Sequence, residues 1–241
     1  MPSASDEGDR SPMTKQRYVD SAFLDFLTDL RRHNDRRWFE ANKARYESQV
    51  RDRFLALIEA LRPRLAKLRP AFAADPRPTG GSMMRIYRDI RFSKDKSPYK
   101  TGLAAHFDIA KQPGEGRPAL YLHIGPGRSN LGGGVWRPET ATLNRIRNHI
   151  VDHPLQWTRA TTHRSFTSWF ELGGESVKRI PQGFDAGHPL ADDLRRKDFI
   201  FGAELDDRDL TSPALPDLLL HRYERAMPMM RFLADATTAA G

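Results

Sequence analysis

Cysteine is absent from the 241-residue chain. That excludes disulfide frameworks, thiolate zinc sites, iron–sulfur clusters and thiol nucleophiles. Long apolar runs are missing as well. None approaches the roughly 18 residues that a membrane-spanning helix needs, so no membrane association is expected. The opening MPSASDEGDR lacks the apolar stretch of a secretion signal, and the cytoplasm is the expected location. Neither G-x-x-x-x-G-K-[ST] nor a strand-linked G-x-G-x-x-G occurs, so the common nucleotide-fold motifs are lacking. Acidic residues are the scarcer sign, 31 against 39 Lys and Arg, for a formal charge of +8. The imbalance is local. Residues 1–120 carry 24 basic and 16 acidic side chains, whereas residues 121–241 carry 15 of each. A basic first half suits phosphate, nucleic acid or another polyanion. An Arg-rich solvated helix face would give the same count.

What is present fits a single α+β domain over residues 18–241, preceded by a polar, disordered tail over 1–17. Phe23, Phe26, Leu27 and Leu30 form a helical stripe begun by Asp20 or Ser21 and broken at His33-Asn34-Asp35. Asn34 or Asp35 caps the next helix. Tyr46, Val50, Phe54, Leu57, Ile58, Leu61, Leu65 and Leu68 keep a 3.6-residue rhythm, with Pro63 expected to kink or split that helix. After a Pro- and Gly-rich connector the period falls to two. Met83–Phe92, Leu103–Ala110, Ala119–Gly125 and Ser129–Trp136 read as strands, with short strands at Val177–Pro181 and Phe199–Leu205. Short connections favour an antiparallel sheet of about five to six strands. Helices are expected after Pro138, from Leu155, over Leu190–Lys197 and over Pro216–Ala236. The sheet thus packs against N-terminal and C-terminal helices.

The densest chemistry lies in RIYRDIRFSKDKSPYKT, residues 85–101, where six cations oppose Asp89 and Asp95. Strand parity would set Met84, Ile86, Arg88, Ile90 and Phe92 on one face and Arg85, Tyr87, Asp89 and Arg91 on the other. A guanidinium on an apolar face needs a carboxylate or carbonyls. Arg88 is therefore either a buried structural partner or the floor of an anion pocket. The following SKDKSPYKT offers Ser93, Lys94, Lys96, Tyr99, Lys100 and Thr101 as donors on a loop stiffened by Pro98.

Other constellations are weaker. In-register pairing would bring His106, Asp108, Tyr121 and His123 to one sheet face, where acid–base chemistry or a plain solvent face are both open. Gly132-Gly133-Gly134 allows close approach by a ligand, a bulge or a crossing helix. His149 and His153 are spaced i,i+4 but lack the adjoining Glu of a zinc helix, and no metal or other cofactor is expected. In NDRRWFEANKARY, the side chains Trp38, Asn42 and Tyr46, or Phe39, Asn42 and Lys43, sit on adjacent positions of one side of a helix. They could stack a base or sugar, or form the edge where helix meets sheet.

Four stretches together resemble an uncharacterised domain-of-unknown-function family of bacteria, also found within longer fungal proteins. They are Asn34–Tyr46, Arg85–Thr101, Leu120–Glu139 and Lys178–Phe199, the second carrying R-x-x-R-D-x-R-F…D-K-x-P-Y-K. The resemblance covers nearly the whole chain after the tail. It implies one α+β unit and supplies no catalytic residue. It does direct attention to Arg85, Arg88, Asp89, Arg91, Phe92, Asp95, Lys96 and Tyr99.

These observations lead to a protein that binds a phosphate-bearing ligand, a phosphorylated small molecule or a nucleic-acid backbone, through Arg85, Arg88, Arg91, Lys96, Tyr99 and Lys100. One alternative is a phosphoesterase- or nuclease-like enzyme using Asp89, Asp95, His106 or His123. The other is a protein-interaction module whose motif is only structural.

Overall fold

The computed structural model describes residues 16–110 and 116–238. The tail expected over 1–17 therefore falls outside the described residues, apart from Gln16 and Arg17. Helix α1 (Ser21–Arg32) starts where Asp20 accepts a hydrogen bond from the Phe23 N–H at 3.0 Å, satisfying one of the free donors of a helix start. Its stripe of Phe23, Phe26, Leu27 and Leu30 is fully buried. Asp35 caps α2 (Arg36–Ala41) by accepting from the Trp38 N–H at 2.9 Å.

The long periodic helix is widened at one place, and it is not split at Pro63. Helix α3 (Lys43–Tyr46) runs through a π turn (Glu47–Arg51) into α4 (Asp52–Leu65). The wider π turn suits the four-residue spacing of Tyr46, Val50 and Phe54, all three of which face the core. Pro63 sits in the last turn of α4. There it removes the one bond its N–H would have given to the Glu59 carbonyl, on the exposed side of the helix, and the helix runs on past it to Leu65.

Strands β1 (Leu103–Asp108), β2 (Ala119–Ile124), β3 (Ser129–Val135), β4 (Glu171–Gly173) and β5 (Phe199–Leu205) form one antiparallel sheet in the order β1-β2-β3-β5-β4. The α+β class and the strand number match the expectation from sequence. One face holds Leu103, Ala105, Phe107, Leu120, Leu122, Ile124, Leu131, Val135, Phe199 and Phe201, all buried. Helices α5 (Thr140–Asp152), α6 (Pro154–Thr162) and α7 (Arg164–Thr167) follow β3, and α8 (Ala191–Leu194) and α9 (Asp207–Leu210) flank β5. The last helix, α10 (Leu215–Thr238), lies against β3, α4, α5 and α6. Buried Tyr223 donates from α10 to the Tyr121 carbonyl at 2.8 Å, and burial holds its phenol far above the ordinary tyrosine range.

The triple glycine is a packing device. A Cβ on Gly133 would lie 2.9 Å from the Phe201 ring and 3.1 Å from Leu120, and one on Gly134 would lie 2.0 Å from the Phe199 carbonyl oxygen. Among the described residues no helix is long and apolar enough to cross a membrane.

Two expected strands are corrected. Val177–Pro181 is irregular, held by a Val177 N–H bond to the Arg195 carbonyl and a single bridge, Ser176 to Arg196. Pro181 has no N–H to extend a ladder, and the short strand of this region is β4, Glu171–Gly173, instead. Met83–Phe92 is likewise not a regular strand. It forms one side of an irregular arm with two isolated bridges, Met83 to Ala105 and Tyr87 to Tyr99.

Candidate functional site: a cationic cleft on a pinned arm

The arm's backbone explains why its ladder fails. Met84 N–H donates to Ala104, while Ile86 accepts from the Lys100 N–H at 2.7 Å and Arg88 N–H donates to Pro98 at 2.9 Å. Two residues advance on one side while four advance on the other. Thr101 and Gly102 absorb the excess as a bulge, which interrupts pairing and re-aims neighbouring side chains. A Cβ on Gly102 would lie 2.5 Å from His123 Nε2, which can swing aside, and 2.9 Å from the Ile124 carbonyl oxygen, which is held in β2. Pro98 adds no donor. The alternation that suggests a strand is therefore present in the sequence, but the facing segment cannot pair with it continuously.

The arm is fixed to the helices by a side chain acting as backbone. The Asn34 amide donates from Nδ2 to the Tyr99 carbonyl and accepts from the Tyr99 N–H through Oδ1, both at 3.0 Å. With Asp35 serving as the cap, Asn34 is free for this task. Beneath it Tyr99 stacks on Phe39, centroids 4.1 Å apart and planes 19° apart, and Tyr46 packs on Phe39 at 5.2 Å. Burial raises the Tyr46 phenol to about 12 and pushes Tyr99 upward too.

A cleft of about 400 Å³ opens between the end of α1 and this arm, lined by Arg31, Asn34, Arg88, Asp95, Ser97, Tyr99, Lys100 and Thr101. Three cations thus face one carboxylate. Arg88 pairs with Asp95 and reaches Ser93 Oγ at 3.4 Å. Asp95 also accepts from the Ser97 N–H at 2.9 Å and the Ser97 hydroxyl at 2.5 Å. The Ser97 and Arg88 hydrogen bonds hold its carboxyl far below the usual range. Arg31 and Lys100 have no carboxylate within ion-pair distance among the described residues. Half-buried Lys100 is pushed below the ordinary lysine value by lost solvation and then by Arg85.

Arg88 is therefore not a core residue. Its side chain is 27% exposed, and of the apolar face expected around it only Ile86 is buried, while Phe92 is 96% exposed. The parity argument fails because, among the described residues, no second sheet layer covers the arm. An exposed ion pair contributes little to folding. Arg88→Met is accordingly expected to leave the melting temperature nearly unchanged. A collapse of stability in thermal denaturation would return Arg88 to a structural role.

The other candidates are spread out. Arg85 is exposed beside the cleft. Arg91 grips Asp89 with Nε–Oδ1 at 3.0 Å and Nη2–Oδ2 at 2.7 Å, holding that carboxyl at about 2. Lys96 donates to the Ile90 carbonyl at 3.0 Å and closes the tip. His106, Asp108, Tyr121 and His123 do share a sheet face, and the observed register sets His106 opposite Tyr121. The two histidines are apart in what they bond. His106 Nδ1 lies 3.3 Å from Asp108, and His123 Nδ1 lies 2.8 Å from the Arg128 carbonyl. Among the described residues no three His, Asp or Glu side chains gather as a metal-binding group. His149 and His153 meet edge to face at 4.5 Å, with Phe232 closing over His149.

Trp38, Asn42, Lys43 and Tyr46 do not reach the cleft. Tyr46 is buried, Trp38 packs on Phe26 at 5.6 Å and on His33 at 5.8 Å, Asn42 bonds the Trp38 carbonyl, and Lys43 is 4.0 Å from Glu40. The stretch is the seat of the arm, so the open stacking face considered from sequence is not there. Sequence reasoning missed Arg31 and Asn34 as cleft residues. The tandem Asn34-Asp35 held the signal, since a helix start uses only one of them. A second groove of about 790 Å³ between α6 and α10 mixes Arg159, Arg225 and Arg231 with Asp152 and Asp235, and contains none of the 85–101 residues.

An α+β protein carrying a cation-lined cleft on a pinned arm is the class that fold and site define. The chain belongs to the family described as conserved hypothetical protein (DUF2461), whose model matches residues 22–232. Searches of curated proteins and of solved structures returned no match.

Proposed function

We propose that the cleft binds a phosphate group of a small molecule or a nucleic-acid backbone, in the cytoplasm. The observation that carries this reading is the surplus of positive charge around half-buried Lys100, which has lost water without gaining a carboxylate. An anion would relieve that cost, and the hydroxyls of Ser97 and Thr101 and the fork of Arg88 supply further donors. Asp89 and Asp95 are occupied by arginines, so their part in this reading is to orient cations.

Thermal denaturation with inorganic phosphate or pyrophosphate tests it. A ligand at 100 times its dissociation constant stabilises by about 2.7 kcal/mol, a shift of several degrees for a chain of this size. Arg31→Gln and Lys100→Gln are expected to lose the shift while folding normally. No shift in the wild-type protein removes the cleft as a phosphate site.

Affinity should also depend on pH in one direction. The bound anion favours protonated Lys100, so binding is intact below the lowered folded value of that lysine and weakens as pH rises through it. Isothermal titration across the alkaline range checks this. Affinity that stays flat up to the ordinary lysine value would assign the charge elsewhere.

A further inference from the structure

The arm presents more than cations. Phe92 is 96% exposed at the tip, and Tyr87 is 51% exposed along the side. The Arg91 guanidinium lies 5.9 Å from the Phe92 ring centroid, and Lys94 and Lys96 follow immediately, both exposed. Phe92 adjoins Ser93, whose hydroxyl contacts Arg88 on the cleft wall. Aromatic faces and phosphate-binding groups are thus set side by side on one arm.

A single exposed phenylalanine is ordinary on a protein surface. Three features make this one different. The arm is held stiffly at its base by the Asn34–Tyr99 amide pair and the Phe39–Tyr99 stack, so the ring is presented rather than left to collapse. Its sequence neighbours are Arg91, Ser93 and Lys94, which provide no apolar surround of the kind a protein interface core uses. With Asp89 held by Arg91 and Asp95 by Arg88, the excess charge nearby is of the sign that follows a phosphate backbone.

We infer that the arm binds single-stranded nucleic acid, with an unpaired base stacked on Phe92, a second against Tyr87, and a backbone phosphate in the cleft. This rests on the phosphate reading of the cleft and narrows its ligand class. Every base has a face that an aromatic ring can stack on, so the recognition is tolerant of sequence. A duplex keeps those faces inside its own stack and offers the arm phosphates alone. Arg85, Lys94 and Lys96 track the backbone, and binding weakens with salt.

Fluorescence anisotropy of a labelled oligothymidylate of about a dozen nucleotides, beside a duplex of equal length, tests this at low and moderate salt. The single strand is expected to bind about tenfold more tightly than the duplex. Phe92→Ala should lose about tenfold on the single strand, with duplex binding unchanged, and Phe92→Tyr should retain affinity. The phosphate-induced melting shift of Phe92→Ala should match wild type, whereas Arg31→Gln should lose both signals. Equal affinity for the two forms, an unaffected Phe92→Ala variant, or binding only to anionic phospholipid vesicles overturns the inference. If the phosphate shift persists in that event, the cleft reading stands alone. If neither phosphate nor oligonucleotide is bound, both fall.

Discussion

Gly134→Ala should unfold the protein or cost it more than about 4 kcal/mol. Gly134 has φ of +114°, a region that side chains rarely enter. Strain of that kind costs about 1–3 kcal/mol by itself. The added Cβ would also lie 2.0 Å from the Phe199 carbonyl oxygen and 2.8 Å from the Ile200 Cα. Both atoms belong to β5, paired with β3 at the centre of the sheet, so neither can give way without opening the ladder. The total is a large share of the roughly 5–15 kcal/mol that holds a domain together. Gly127 is the control. It also has positive φ, +67°, but nothing lies within 4 Å of its Cβ position, so Gly127→Ala should cost about 1 kcal/mol. Urea denaturation of the two variants separates the effects, and near-wild-type stability of Gly134→Ala would refute the steric argument.

The fold was legible wherever a regular period met a matching partner. The stripe in α1, the apolar faces of β1 and β2 and the shared face of His106, Asp108, Tyr121 and His123 follow from spacing, because burial on one side fixes which side chains point to the core. Met83–Phe92 shows the limit. It alternates like a strand, but whether a strand forms depends on the segment facing it. There Pro98 and the Thr101–Gly102 bulge break the ladder, and no layer covers Phe92. Pro63 shows another limit. A proline is read from sequence as a break, yet what it removes is the single bond to the carbonyl four residues earlier, and here the helix runs on past it to Leu65.

The site was half legible. The basic run from Arg85 to Lys100 announces a cationic surface through its composition. Which of its charges are free is a matter of geometry. Asp89 neutralises Arg91 locally and Asp95 takes Arg88, while Lys100 lines the same cleft as Arg31, a residue 69 positions earlier in the chain. No spacing rule predicts a shared cleft across that distance. The aromatic residues near Asn42 were visible too, but their role could not be read before the arm was seen to lie on them.

Asn34→Ala tests that long-range assembly most directly. Its amide replaces a missing strand partner, making two 3.0 Å hydrogen bonds to Tyr99, a residue 65 positions away. Alanine would leave a backbone N–H and a carbonyl unmatched beside buried Tyr99. Stranding two such groups costs about 2–4 kcal/mol, reduced where water can enter. Tyr99, Lys100 and Thr101 would lose their fixed position, so the phosphate-induced melting shift should fall along with stability. Asn34→Asp keeps the acceptor for the Tyr99 N–H but sets a carboxylate against the Tyr99 carbonyl and adds negative charge to the cleft. It should therefore retain part of the N–H protection and lose anion binding altogether. Hydrogen exchange at the Tyr99 amide gives the local readout, and denaturant unfolding the global one. A Tyr99 amide still protected in Asn34→Ala, at unchanged stability, would mean that the aromatic stack on Phe39 holds the arm without the amide.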